Sequence, residues 1–272
     1  MTCLTHLQKY PFKMPGSKRA IIAKIYPLMP RPSSGRVIVP FFGTGADSYF
    51  FDAQGLRVVG SDAQRVLVDL HNSALFSYDM CNVWIRTKYN RTKEQYFELR
   101  DEHNAKPWPW SFYLLSRLSF NALVRHNRSG GFNAPSGILR ENPLPTRAAM
   151  EEHERFVQRI GGVRCRDFRG AVADAMPGDL VYLDSPYFGT FDGYTGQPFP
   201  HDVLFALLRY LTDNGIAWAC SNSLAAAEHM PREATVHMLT RSGCMRNHTG
   251  THESPASEIL ATWEPSRDSV PA

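Results

Sequence analysis

The 272 residues are 43% hydrophobic and 21% charged, which is enough apolar material for one large α/β domain, with or without an insert. The five cysteines are widely spaced and form no Cys-x-x-Cys pair, which argues against a disulfide framework and a zinc site. The chain has no apolar run long enough to cross a bilayer and no apolar signal-peptide core, so we expect a cytoplasmic protein without a membrane partner.

The net charge of +4 is concentrated in the middle of the chain. Residues 75–170 contain 16 Lys and Arg against 10 Asp and Glu, whereas the rest of the chain contains 14 against 16. A basic segment in an otherwise near-neutral protein is typical of a surface that contacts a phosphate backbone. A simple solvated surface would have the same composition.

The first predicted helix follows a turn at residues 15–17. Four apolar side chains recur at helical spacing after it: Ile21, Ile22, Ile25 and Leu28. Ser17 is the expected N-cap. Lys18 lies in the first turn, where a cation opposes the helix dipole, so it is predicted either to have a carboxylate partner or to be an ordinary surface lysine.

A short β run from Arg36 leads into a glycine-rich turn, Phe41-Phe42-Gly43-Thr44-Gly45, and a helix is expected after it. This order makes room for a cofactor at a helix N-terminus. The third glycine of the dinucleotide fingerprint is missing, so the turn alone is a weak signal and a nicotinamide dehydrogenase is disfavoured.

A second predicted strand, residues 56–62, ends at Asp62. This acid follows the glycine turn by about 20 residues, where βαβ cofactor folds place the carboxylate that binds ribose hydroxyls. The turn and the acid together predict cofactor binding, against the alternative of a plain βαβ unit.

Residues 63–105 are predicted to be helical, and the aromatic-rich residues 106–120 favour a core helix over a base-stacking surface. Another charged helix is predicted over residues 146–160, with Thr146 as its N-cap.

Residues 120–137 contain a turn and predict a hairpin or clamp-like loop. The loop presents four side chains that can read base edges or hold phosphates: Arg125, Asn127, Arg128 and Asn133. A structured loop capped by asparagine side chains is the alternative.

The stretch 178–191 holds the strongest candidate for chemistry. Its apolar strand stops at Asp184, and Pro186 prevents the strand from continuing. Ligands of open α/β sheets bind outside the carboxyl ends of strands, and a carboxylate beside Tyr187, Phe188 and Phe191 suits a nucleobase. The alternative is a turn with an incidental acid.

Four further elements complete the prediction: an amphipathic helix over residues 203–212, strands at 216–220 and 257–263, and a tail at 264–272.

The ordered set of motifs resembles the Dam-type (D12 class) adenine-specific DNA methyltransferase family. The matching segments are residues 13–18, 40–45, 61–62, 119–125, 127–137, 184–187, 221–223 and 257–260. The resemblance implies an α/β, Rossmann-like S-adenosylmethionine-dependent methyltransferase fold with an inserted helical or hairpin target-recognition segment. The catalytic domain would comprise residues 1–74 and 166–263, the insert residues 75–165, and the tail residues 264–272.

The activity implied by this resemblance is methyl transfer from S-adenosylmethionine to N6 of a flipped adenine in double-stranded DNA. No metal is implied, and we expect a monomer or weak dimer in the cytoplasm of a bacterial or phage-infected cell. The implied cofactor residues are Met14, Lys18, Phe41, Gly43, Gly45, Asp62 and Asp184. The implied catalytic residues are Asp184, Ser185, Pro186 and Tyr187, and the implied DNA contacts are Arg125, Asn127, Arg128 and Asn133.

Two positions depart from the family pattern. Ser185 replaces the first proline of the Asp-Pro-Pro-Tyr tetrapeptide, which keeps the backbone carbonyl but removes the ring that fixes φ. Met14 stands where many relatives have an aromatic residue. Two alternatives therefore stay open: an N4-cytosine or RNA methyltransferase on the same fold, and a DNA-binding protein with weakened catalysis.

Overall fold

The computed structural model describes residues 10–141, 143–190, 198–239 and 258–266. Phe191, named with the predicted site, and the last six residues of the predicted tail lie outside the described residues, as do Cys3 and Cys244.

Seven strands form one sheet in the order β3-β2-β1-β4-β5-β7-β6. Strands β1 to β5 pair in parallel, and β7 is antiparallel to both β5 and β6. The strands are β1 (Arg36–Val39), β2 (Arg57–Asp62), β3 (Arg164–Cys165), β4 (Leu180–Asp184), β5 (Ala217–Ser223), β6 (Thr235–Leu239) and β7 (Glu258–Trp263).

Nine α-helical segments surround the sheet within the part of the chain that the structure describes. They are α1 (Ile22–Ile25), α2 (Ala46–Ala53), α3 (Arg65–Asn72), α4 (Ala74–Lys88), α5 (Lys93–Ala105), α6 (Pro109–Leu118), α7 (Arg147–Arg159), α8 (Phe168–Ala171) and α9 (His201–Asp213). The sheet and its helices confirm the predicted α/β, Rossmann-like fold.

The central strands are buried on both faces because helices cover both sides of the sheet. Successive side chains of β4 alternate between two cores: Leu180 and Tyr182 pack with residues of α1 to α7, whereas Val181 and Leu183 pack with α8 and α9. β1 lies beside β4, with Val37 opposite Leu180. The carboxyl ends of both strands therefore meet at one edge of the sheet, so the glycine turn after β1 lies near Asp184.

The predicted helices are mostly confirmed. The Thr146 side chain accepts a hydrogen bond from the Ala149 amide at 3.3 Å and caps α7 as predicted. The aromatic segment forms α6, in which Phe112 and Tyr113 are buried core residues.

The prediction of one regular helix after residues 15–17 is wrong. A 3₁₀ turn (Lys18–Ala20), the short α1 and a second 3₁₀ turn (Tyr26–Leu28) replace it. The Ser17 side chain makes no cap hydrogen bond and is instead hydrogen-bonded to the Thr44 hydroxyl at 3.1 Å. A tertiary contact with the glycine turn thus replaces the local cap.

None of the helices in the described residues is long and apolar enough to cross a membrane.

Gly45 is the N-cap residue of α2 and lies in the left-handed region, with a φ of +76°. A Cβ there would lie 2.5 Å from Cε1 of Phe42 and 2.8 Å from the hydroxyl of Tyr10, whereas a Cβ on Gly35, whose φ is +69°, would meet no atom within 4 Å. We expect Gly35→Ala to lower the free energy of unfolding by about 1–2 kcal/mol through backbone strain alone. Gly45→Ala should cost about 1–3 kcal/mol more because it adds overpacking.

Denaturant unfolding of the two variants beside the parent protein measures this difference. Equal losses would show that the contact of Gly45 with Phe42 carries no energetic weight.

Candidate active site

The glycine turn after β1 is shaped by the aromatic ring beneath it. The Gly45 amide donates to the Phe42 carbonyl at 2.7 Å and closes a tight turn. The Phe42 ring fills the space in which a side chain on Gly45 or Gly60 would lie. Gly43, with a φ of +51°, has open space where a side chain would be. Gly45 is thus needed for packing, and Gly43 leaves room for a ligand.

Asp62 holds the glycine turn from the end of β2. Its Oδ2 accepts the Gly43 amide and its Oδ1 accepts the Gln64 amide, each at 2.9 Å. Burial raises the pKa of Asp62, and these backbone hydrogen bonds lower it in part. The predicted cofactor acid therefore also has a structural role, and a carboxylate has lone pairs beyond these two bonds.

Lys18 and Asp184 form a buried ion pair. Lys18 Nζ lies 2.6 Å from Asp184 Oδ1, and the two side chains are 1% and 15% exposed. The ammonium also lies 3.4 Å from Glu258 Oε1 and donates to the Gly16 carbonyl at 3.1 Å. The carboxylate partner predicted for Lys18 is confirmed, and Glu258 is a second acid that the sequence reasoning did not assign.

Tyr187 lies against the same cluster. Its hydroxyl donates to the Glu258 carboxylate, and Lys18 Nζ lies 4.9 Å from the centre of its ring. Glu258 begins β7, so the last strand of the sheet fixes the orientation of a ring in the loop after β4.

The Asp184–Tyr187 loop is held by the end of β5. The Asn222 side chain accepts the Phe188 amide at 2.8 Å and donates to the Ser185 hydroxyl at 3.5 Å. The Ser223 hydroxyl donates to the Phe188 carbonyl at 2.6 Å. Ser185 itself is buried, so its hydroxyl is accommodated inside the fold rather than exposed.

Asp47, in the first turn of α2, is a further buried acid near the ion pair. Burial raises its pKa to about 7, and the charge of Asp184 adds to the shift, while the Ser48 amide and the charge of Lys18 oppose it. Sequence reasoning missed Asp47 because an acid in a first turn normally indicates only a favourable helix dipole.

The remaining predicted cofactor residues lie around the turn. Phe41 stacks on Phe168 with ring centres 5.5 Å apart, and Phe199 meets Phe41 edge-on at 5.7 Å. Met14 is half-buried and packs against the core. Phe168, just after β3, was not singled out from the sequence because a lone aromatic carries no motif.

The four predicted DNA contacts form a separate group in the loop at residues 120–137. Arg125 donates to both oxygens of Asn133, to Oδ1 at 2.9 Å and to the carbonyl at 2.8 Å. Asn127 Oδ1 accepts the Ser129 hydroxyl and the Gly131 amide, each at 2.8 Å. Arg128 is exposed at the turn. Three of the four side chains thus stabilise the loop itself, and Arg128 faces solvent.

This loop is anchored to α5 by a residue that sequence reasoning missed. Asn104 accepts the Phe132 amide at 2.7 Å and donates to the Phe132 carbonyl at 3.1 Å. Antiparallel bridges pair His126 with Phe132 and Ser119 with Ser136, which agrees with the predicted hairpin.

Among the described residues, no group of three or more His, Cys, Asp or Glu side chains could hold a metal ion.

The raised pKa of Asp47 predicts a pH-dependent stability. The unfolded carboxyl loses its proton near pH 4, whereas the folded one keeps it up to about pH 7. Between these values the folded chain binds more protons, so Asp47 lowers the free energy of unfolding as the pH rises. We expect Asp47→Asn to gain stability over the parent by up to about 1.4 kcal/mol per pH unit across this range.

Denaturant unfolding of the parent and Asp47→Asn at a series of pH values tests this expectation. A difference that stays constant from pH 4 to pH 7 would contradict the buried, protonated state of Asp47.

Residues 15–242 match the family model described as D12 class N6 adenine-specific DNA methyltransferase. The chain is 27% identical over 261 residues to the retron Ec67 DNA adenine methylase of Escherichia coli, covering 92% of this chain and 89% of that protein.

Two other relatives have similar coverage. A type II methyltransferase, M1.LlaDCHI of Lactococcus lactis subsp. cremoris, is 26% identical over 250 residues, covering 84% and 87% of the two chains. A DNA adenine methylase of Vibrio cholerae serotype O1 is 25% identical over 277 residues, covering 95% and 97%. The resemblance drawn from the motifs and the predicted enzyme class are confirmed, and the chain belongs to the D12 class of N6 adenine-specific DNA methyltransferases.

Proposed function

We propose that the chain transfers the methyl group of S-adenosylmethionine to N6 of adenine in double-stranded DNA, with the base held by the loop from Asp184 to Tyr187. The observation that carries this proposal is the Lys18–Asp184 pair, which sets a carboxylate at the carboxyl end of β4 beside the glycine turn after β1. The family match supports the choice of adenine and of DNA.

The residues around the glycine turn suit S-adenosylmethionine. Gly43 has open space beside it, and Asp62 offers acceptor oxygens for ribose hydroxyls. Phe41, which stacks on Phe168, adds aromatic surface near the turn for the adenine ring. Met14, Lys18, Gly45 and Asp184 complete the set proposed from the sequence. When bound, the cofactor supplies a methyl group on a positively charged sulfur, which is the electrophile for the amine.

Asp184 is assigned to the exocyclic amine of the target base. Lys18, at 2.6 Å, stabilises the ionised form of this carboxylate, and an ionised carboxylate accepts hydrogen bonds from an amine. The backbone carbonyl of Ser185 would accept the second amine hydrogen. Both acceptors stabilise the positive charge that develops on the amine nitrogen as it reacts.

Tyr187 is assigned to stacking on the flipped base. Its hydroxyl is tethered to Glu258 and its ring faces Lys18, so the ring is oriented before any base enters. Pro186 restricts the backbone between the acceptor carbonyl and this ring.

The contacts that Asn222 and Ser223 of β5 make with the loop support activity despite Ser185. A misplaced acceptor of about 1 Å can cost roughly a hundredfold in rate. Asn222 and Ser223 bind both backbone groups of Phe188, and Asn222 contacts the Ser185 hydroxyl. These contacts limit the loop motion that a proline would otherwise restrict.

Target recognition is assigned to residues 75–165, with Arg125, Asn127, Arg128 and Asn133 at the DNA. The basic charge of this region and the hairpin at residues 120–137 support the assignment. We place the activity in the cytoplasm of a bacterial or phage-infected cell, carried out by a monomer or weak dimer.

Asp184→Asn tests the catalytic assignment. Asparagine keeps the size of the side chain but removes the negative charge, so we expect the methylation rate to fall by at least about a hundredfold. The affinity for S-adenosylmethionine should stay within several-fold. Asp174→Asn, at an exposed acid, is the matched control and should leave the rate unchanged.

The assay is transfer of a tritiated methyl group to unmethylated genomic DNA, followed by nucleoside analysis. Label in N6-methyladenine supports the proposal, and label in N4-methylcytosine would move the target to cytosine. Undiminished turnover by Asp184→Asn would overturn its catalytic role.

Arg128→Ala tests the DNA contact. Because Arg128 is exposed at the loop turn, we expect normal stability and a salt slope of DNA binding that is reduced by about 0.9, the value for one lost phosphate contact. Arg209→Ala, at an exposed arginine on α9, is the control. Arg125→Ala should weaken DNA binding as well, but through loss of the Asn133 contacts that order the loop.

Fluorescence anisotropy with a DNA duplex at several salt concentrations gives the slope for each variant. An Arg128→Ala slope equal to that of Arg209→Ala would remove Arg128 from the DNA interface.

A further inference from the structure

A chain of three buried side chains ends on the glycine turn. The Tyr10 hydroxyl lies 3.0 Å from Nδ1 of His153, and Nε2 of His153 lies 3.0 Å from Nδ1 of His71. Nε2 of His71 lies 2.9 Å from the Gly43 carbonyl oxygen. All three side chains are at most 4% exposed. None of them belongs to the set assigned to catalysis, cofactor or DNA.

The direction of these hydrogen bonds follows from simple chemistry. Burial lowers the pKa of His71 to about 4 and the pKa of His153 well below its usual value, so both rings are neutral near pH 7. A carbonyl oxygen can only accept, so His71 carries its hydrogen on Nε2 and its Nδ1 accepts. His153 must then donate from Nε2, and its Nδ1 accepts from the Tyr10 hydroxyl.

Both backbone groups of Gly43 are thereby held, one in each of the two peptide units that flank its Cα. Its amide donates to Asp62 at 2.9 Å, and its carbonyl accepts from His71 at 2.9 Å. Its φ of +51° lies in the left-handed region, and open space lies where a side chain would be. A glycine whose two flanking peptide units are both held, with open space at its Cα, is suited to let a ligand approach the backbone closely.

We propose that His71 is a positioning residue for the cofactor: it holds the Gly43 carbonyl, and His153 and Tyr10 hold the His71 ring in place. This proposal rests on the proposed function, because it assigns Gly43 to the S-adenosylmethionine site. These hydrogen bonds also join three separate parts of the sequence: Tyr10 precedes the first turn, His71 lies on α3, and His153 lies on α7.

The packing around the two histidines leaves them little freedom. The Phe12 ring lies 4.7 Å from the ring of His71 and 4.6 Å from that of His153, and the Phe42 ring meets His71 edge-on at 4.9 Å. A ring flip of His71 would put a carbon atom against the Gly43 carbonyl. The aromatic contacts therefore hold the donor on the carbonyl.

Two substitutions of His71 separate its two hydrogen bonds. In His71→Gln the amide nitrogen can take the place of Nε2 and still donate to Gly43, whereas His71→Asn places its amide near Nδ1 and leaves the Gly43 carbonyl without this donor. We expect the Kd for S-adenosylmethionine to rise about tenfold in His71→Asn and about threefold or less in His71→Gln.

The matched control is His103→Asn. His103 is also a buried histidine, on α5, and its Nδ1 is hydrogen-bonded to the Ser111 hydroxyl at 2.8 Å. This variant should lose stability but bind S-adenosylmethionine as the parent does. Isothermal titration calorimetry gives each Kd without any requirement for turnover.

Kinetics and spectroscopy give readouts that a purely structural role would not change. In the methylation assay His71→Asn should raise KM for S-adenosylmethionine and leave kcat within about threefold. Nitrogen-15 spectra of the parent should show both histidines neutral with the hydrogen on Nε2. Tyr10→Phe removes the hydrogen bond to Nδ1 of His153 and leaves Nε2 of His153 donating to His71, so it should cause a smaller loss of cofactor affinity, and it decides the question if His71→Asn does not fold.

The outcomes separate this proposal from the proposed function. A parent protein that binds no S-adenosylmethionine overturns both. A parent that binds, with His71→Asn equal to His71→Gln or with both equal to the parent, overturns the positioning role alone. Should His71→Asn not fold, a Tyr10→Phe variant with parental affinity overturns it. A Kd for S-adenosylmethionine that is highest in His71→Asn, intermediate in His71→Gln and lowest in the parent supports it.

Discussion

The rest of the site depends on the buried ion pair between Lys18 and Asp184. Removing one partner of a buried pair costs about 3–5 kcal/mol because the other charge is left without compensation. The pair therefore fixes the segment before α1 against the carboxyl end of β4, at 2.6 Å between nitrogen and oxygen. Glu258 and Tyr187 also contact the Lys18 ammonium. Because Glu258 begins β7 and accepts the Tyr187 hydroxyl, one buried lysine helps to position the Glu258 carboxylate, the Tyr187 ring and the start of β7.

Hydrogen bonds tie the helices after β2 to the glycine turn and to the hairpin loop. His153 brings α7 against His71 and, through it, against the glycine turn, while Asn104 ties the hairpin loop to α5. Buried polar groups are costly unless all are paired, so these contacts specify one arrangement of the helices rather than simply adding stability. The turn proposed to hold the cofactor is consequently shaped by a helix from the region assigned to target recognition.

The fold and the centre of the site could be predicted from local patterns. The apolar run of β4, its end at Asp184, the glycine turn and Asp62 each carry their own signal, and the order of motifs supplied the family. Residues that act through long-range contact could not be predicted in the same way. Glu258, His71 and His153 have no local pattern that tells a site residue from a core residue, and Ser17 changed from a cap to a tertiary contact. The partner of Lys18 was predicted in kind, but its identity required the sheet order that sets β1 beside β4.

Ser185 shows how a departure from the family pattern can be offset within the fold. A proline at this position would restrict the backbone through its own ring. Here the restriction comes from the neighbouring strand: Asn222 and Ser223 hold both backbone groups of Phe188, and Asn222 reaches the Ser185 hydroxyl. This restriction depends on side chains of β5. Any movement of that strand relative to β4 would therefore also move the Ser185 carbonyl that is proposed as an acceptor. The register of the β4–β5 pair, Asp184 opposite Ser221, is then part of the geometry proposed for catalysis.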